Sequence, residues 1–79
     1  MNVQDFLKDI LVAVVTEPDA VQVERQDDDL GVLLSVNVAK VDMPSVIGKE
    51  WRTINAIRTI VRVFGAKNDE RVNIKVIED

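Results

Sequence analysis

The chain has 79 residues, a net charge of -4 and neither cysteine nor histidine. That length allows one small domain, expected to span residues 1–79, and leaves a thin margin of stability because so short a chain buries only about 60% of its unfolded surface. The missing residue types exclude disulfides and most zinc or transition-metal sites, so no cofactor is expected.

Residues 2–16 carry Val3, Phe6, Leu7, Ile10 and Val14 at helical spacing, with Asp5, Lys8 and Asp9 between them. Asn2 suits the N-cap, and Pro18 in "TEPDA" stops the helix. Residues 20–26 alternate, Val21 and Val23 on one face and Gln22 and Glu24 on the other, as in a half-buried strand. "DDDLG" at 27–31 is a charged turn whose three aspartates want water. Residues 32–39 form a second strand with Leu34, Val36 and Val38 on one face, and the short link makes the pair an antiparallel hairpin.

"VDMPSVIG" then opens a short helix, with Asp42 at the cap position, Pro44 in the first turn and Gly48 at the end. A longer helix starts at Arg52, burying Ile54, Ile57, Val61 and Phe64 with Ile60 beside them, and ends at Gly65 and "KNDE". Residues 71–77 alternate again, with Val72, Ile74 and Val76 inward. The order is α-β-β-α-α-β: a two-layer α+β domain, its three-stranded sheet covered on one face by three helices. The longest apolar run, "ILVAVV" at 10–15, is far too short to span a membrane, so a soluble, unprocessed and cytoplasmic chain is expected.

Charge is unevenly distributed. Residues 1–30 hold two basic and eight acidic side chains, whereas residues 40–67 hold six basic ones against Asp42 and Glu50. A mildly acidic chain can therefore present one basic surface to a polyanion. A short helix, a glycine-led turn and a second helix also place free N–H groups of that second helix beside Lys49 and Arg52.

The stretch "VIGKEWRTINAIRTI" resembles the signature of a KH domain, Val-Ile-Gly-x-x-Gly-x-x-Ile, at Val46, Ile47, Gly48, Lys49, Arg52, Ile54 and Ile57. The element order resembles the type II form of that fold. The length and the approach "VDMPSVIGK" resemble the small single-domain bacterial KhpA (YlqC-like) group. The resemblance implies a type II KH-like fold and non-enzymatic, RNA-chaperone-like binding of single-stranded RNA, whose backbone such a loop clamps over about four nucleotides. It implies that Val46 and Ile47 line an apolar cleft, that Gly48, Lys49 and Glu50 form the loop, and that Arg52 sits near phosphate. The alternative it allows is a KH-scaffold interaction domain, a homodimer or a heterodimer with another KH-domain protein, that has lost RNA from its groove.

Trp51 stands where the pattern has its second glycine, which lets a ligand backbone approach closely. Three readings of it stand side by side: a base-stacking platform, an interface anchor, or an indole folded back over Ile47 or Ile54 to cap the core. The first residue of a helix needs no positive φ, so sterics alone do not forbid tryptophan there. Arg58 and Arg62, one turn apart, read as a solvated face or as a phosphate track, and Lys40 and Lys67 as surface lysines. An enzyme is not expected: Ser35 and Ser45 have no base beside them, and Gly48-Lys49 lacks the strand and second glycine of a nucleotide-binding phosphate loop.

Overall fold

The computed structural model describes residues 1–78. Helix α1 spans Val3–Val14, strands β1 and β2 span Gln22–Asp28 and Gly31–Asn37, helix α2 spans Met43–Ile47, helix α3 spans Arg52–Lys67 and strand β3 spans Val72–Val76. Short 3-10 turns at Pro18–Ala20, Lys40–Asp42 and Lys49–Trp51 link them. The α-β-β-α-α-β order and two-layer arrangement are as the sequence pattern implies.

β2 is the central strand. It pairs antiparallel with β1 from Gln22↔Asn37 to Asp28↔Gly31, and parallel with β3 from Val32↔Val72 to Val36↔Val76. A parallel neighbour requires a crossover, and the stretch carrying α2 and α3 supplies it. Val21, Val23, Val32, Leu34, Val36, Val38, Val72 and Ile74 are buried under the helices, while Gln22, Glu24, Asn73 and Lys75 lie exposed on the opposite face.

α1 begins as the sequence suggests: the Asp5 N–H donates to the Asn2 carboxamide oxygen at 2.8 Å. It ends at Val14, two residues earlier than its apolar spacing suggested. Its buried stripe is Val3, Leu7 and Leu11. Val14, expected on that stripe, is 40% exposed, and Leu11 is buried instead. Phe6 stacks on Phe64 of α3 with ring centroids 4.4 Å apart, joining the two long helices.

α3 buries Ile54, Ile57 and Val61 as expected and ends at Lys67, where "KNDE" begins, but Gly65 is not what ends it. Gly65 is buried within the helix, where any Cβ would collide with Val72 of β3. The glycine serves close helix–strand approach. The left-handed position that ends the helix falls on Asp69, φ 59°, with the Glu70 N–H bonded to the Gly65 carbonyl at 2.8 Å. Ile60, placed beside the buried face, is 51% exposed.

Candidate nucleic-acid interface

α2 has only five residues and could not hold its shape alone. It is fixed at both ends. Val46 is fully buried in the core. This corrects the expectation that Val46 lines the cleft: its side chain anchors α2 from beneath. At the other end Asp42, expected to cap α2, makes no bond to that helix. Its buried carboxylate instead accepts the Thr16 N–H at 2.8 Å, the Thr16 hydroxyl at 2.8 Å and the Glu17 N–H at 3.0 Å. The Thr16 N–H above all, then the hydroxyl and the Glu17 N–H, hold the Asp42 pKa below the usual carboxylate range, against the opposing effect of burial.

Gly48 ends α2 with φ 75° and leads into the loop. A Cβ there would strike Thr53, so glycine is required by conformation and by space together. The Gly48 carbonyl accepts the Trp51 N–H at 3.2 Å. Glu50 (φ 56°) and Trp51 (φ 64°) both adopt the left-handed conformation. Helix α3 begins at Arg52, as the sequence pattern placed it, so Trp51 lies just before the helix in a position that does favour glycine, contrary to the steric argument from sequence. No side chain caps α3, and the Arg52 N–H at its start is taken by the Lys49 carbonyl.

A cleft of about 640 Å³ lies between α2 and the chain just past β3, lined by Lys40, Met43, Pro44, Ile47, Gly48, Lys49 and Glu78. Its floor is apolar and its rim carries Lys40, Lys49 and Glu78. Of the residues singled out in the sequence, Ile47, Gly48 and Lys49 line it. Glu50, Trp51 and Arg52 continue the loop beyond it, all exposed, and Arg52 pairs loosely with Glu50 at 3.4 Å. Trp51 is 47% exposed, so its indole is not enclosed in the core. Arg58 is partly buried and donates to the Asn55 carboxamide oxygen at 3.1 Å. It borders neither this cleft nor a second one.

Sequence reasoning passed over Lys40, Met43 and Pro44 as site residues. A signal was present: Met43 and Ile47 are four apart, on one face of a short helix, and Lys40 lies one turn earlier. The second cleft, about 470 Å³, is lined by Arg62, Ala66, Asp69, Glu70, Arg71, Val72 and Asn73, where opposed charges cancel. Among the described residues no three or more metal-ligating side chains come together. Nor, among those residues, is any helix long and apolar enough to cross a membrane.

A parallel β2–β3 pair crossed by two helices, with a positive-φ glycine opening the turn between them, defines the type II KH class. The sequence profile of the KhpA/KhpB KH-domain family matches residues 4–76, and the chain belongs to that family. It is 33% identical over 75 residues to the RNA-binding protein KhpA of Listeria monocytogenes, covering 95% of this chain and 99% of that one. It is 37% identical over 73 residues to KhpA of Caldanaerobacter subterraneus subsp. tengcongensis (92% and 97% covered) and 32% identical over 77 residues to KhpA of Bacillus subtilis (98% and 95% covered). Its fold also superimposes on part of Aquifex aeolicus Era, crystallised as a point variant bound to GDP·AlF4-, at a TM-score of 0.63 and 15% identity; the match covers 94% of this chain and 29% of that one.

Proposed function

We propose that the chain is a non-enzymatic, cytoplasmic, single-stranded RNA-binding module of KH type. The observation that carries this reading is the cleft beside the Gly48 turn, with an apolar floor of Met43, Pro44 and Ile47 and a rim on which Lys40 and Lys49 outnumber Glu78. Such a groove suits bases on its floor and phosphates on its rim. The relatives' shared name as RNA-binding proteins supports it. Gly48, Lys49 and Glu50 form the loop, Lys49 and Arg52 meet phosphate, and Arg58 adds positive potential further along α3. Val46 acts indirectly, by holding α2.

In this reading Trp51 is a stacking platform. Its half-exposed indole, next to Arg52 and two residues from Lys49, supports that role. The test is fluorescence polarisation of labelled random single-stranded RNA at rising salt. Four neutralised phosphates should lower affinity roughly 50-fold between 50 and 200 mM salt, from a slope near -0.7 per phosphate. No binding at low salt to any of a set of unstructured RNAs would reject the reading.

A specific observation also favours a partner protein. Ile60 and Val63, one turn apart on the outer face of α3, are 51% and 67% exposed. They form an apolar stripe suited to a second copy or to another KH-domain protein. Light scattering of the full chain should report a dimer, and Val63→Glu should return it to monomer. A monomer at all concentrations, with no KH protein captured, would remove that reading.

A further inference from the structure

We infer that Asp42 is a positioning residue of the RNA groove: its buried carboxylate ties the cleft wall formed by Lys40 and α2 to the segment that follows α1. The inference rests on the RNA-binding reading above.

An aspartate is an expensive residue for this place. It is 1% exposed, and a buried carboxylate is tolerated only when its oxygens are satisfied. It also lies between groove residues Lys40 and Met43, where a visible negative charge would repel phosphate. A cap of α2 would explain it, but no bond runs to α2. All three of its hydrogen bonds go instead to Thr16 and Glu17, 26 and 25 residues away in sequence. Those donors hide the charge from the groove and use it as a tether.

The tether acts on the element that most needs one. Five residues of helix do not specify their own position. Val46, buried in the core, fixes the C-terminal half of α2. Asp42 fixes its N-terminal end. Met43 and Pro44, between these two anchors, and Ile47, next to the second, face the cleft. With Asp42 released, α2 keeps one anchor and can pivot about Val46. Lys40 and Met43 would move most, and the groove would spend part of its time in shapes that do not accept RNA.

Electrostatics and positioning give opposite signs, which makes the test decisive. Loss of one negative charge near the groove should tighten RNA binding by Coulomb attraction. Loss of the tether should weaken it. Asp42→Asn keeps the shape but cannot accept from every donor. If it lowers the competent fraction to about one fifth, affinity falls about fivefold. Thr16→Val, which removes only the hydroxyl bond, should weaken binding in the same direction by less. Val3→Ala, a core truncation at the far end of α1, is the control for lost stability alone and should bind RNA as the wild type does.

The experiment is polarisation of labelled random single-stranded RNA with the wild type and the three variants, each confirmed folded by circular dichroism at the assay temperature. Amide hydrogen exchange in the free proteins is measured alongside. The expected result is weaker binding by Asp42→Asn and Thr16→Val, with faster exchange concentrated in residues 40–48. If Asp42→Asn does not fold, Thr16→Val alone decides. Unchanged or tighter binding by Asp42→Asn, or an equal loss in Val3→Ala, overturns the inference while leaving RNA binding intact. A wild type that binds no RNA overturns the underlying reading, and the role of Asp42 with it.

Discussion

Trp51 concentrates two separable effects in one residue. Its backbone sits at φ 64°, in a region that costs a non-glycine residue about 1–2 kcal/mol, and its indole is half exposed. Substitution separates them. Trp51→Ala keeps the backbone cost and removes the ring, so RNA affinity should fall ~5- to 150-fold, the 1–3 kcal/mol of base stacking, with little change in Tm. Trp51→Gly should be more stable than Trp51→Ala by about 1 kcal/mol in denaturant titration, because only glycine is at ease in that conformation. Equal stabilities would contradict the left-handed geometry. A collapse of Tm in Trp51→Ala would show that the indole belongs to the core. Asp42 makes a second residue-level expectation. Its pKa lies below the ordinary value near 4, so its stabilising contribution is complete above about pH 4 and is lost as pH falls through the depressed value. Wild-type Tm should therefore drop in acid more steeply than that of Asp42→Asn; parallel acid profiles would argue against the tether. The sequence could not reveal either feature. The αL turn falls on Glu50 and Trp51, residue types that do not announce that conformation, and the Asp42 bonds depend on folding residues 16 and 42 together.

Elements with strong local patterns were legible, and errors gathered at their ends. Alternation placed all three strands, and the Asn2 cap placed the start of α1, because both signals are local. Parallel β3 beside β2 was not written in either strand; it follows from the helical crossover between them. Gly65 misled for a physical reason. Glycine after an apolar stripe usually ends a helix, but here it admits Val72 of β3 against the helix backbone. Gly65→Ala should therefore destabilise despite the better helix propensity of alanine, by up to about 2 kcal/mol once an overpacking cost of roughly 1–3 kcal/mol is set against about 1 kcal/mol gained. A thermal melt checks the sign, and a raised Tm would contradict the close approach. The site was half legible at this scale. Ile47, Gly48 and Lys49 came from the motif. Lys40, Met43 and Pro44 needed the fold to bring the turn before α2 and the chain beyond β3 to one cleft.

At the scale of the whole molecule, a chain of net charge -4 is asked to bind a polyanion. The resolution lies in placement. The acids of α1 and of the β1–β2 turn are exposed on elements away from the cleft, Asp42 beside its wall is buried among donors, and Glu78, which lines the cleft, is set against Lys40 and Lys49. The central claim is that RNA occupies the groove beside the Gly48 turn. The chain has a single tryptophan and no tyrosine, so its emission reports on that turn alone. The most direct measurement is Trp51 fluorescence recorded together with polarisation of labelled single-stranded RNA in one low-salt titration, repeated at higher salt. The account expects both signals to saturate at the same midpoint and that midpoint to move with salt. A polarisation change with silent Trp51 would place RNA on another surface and contradict the claim.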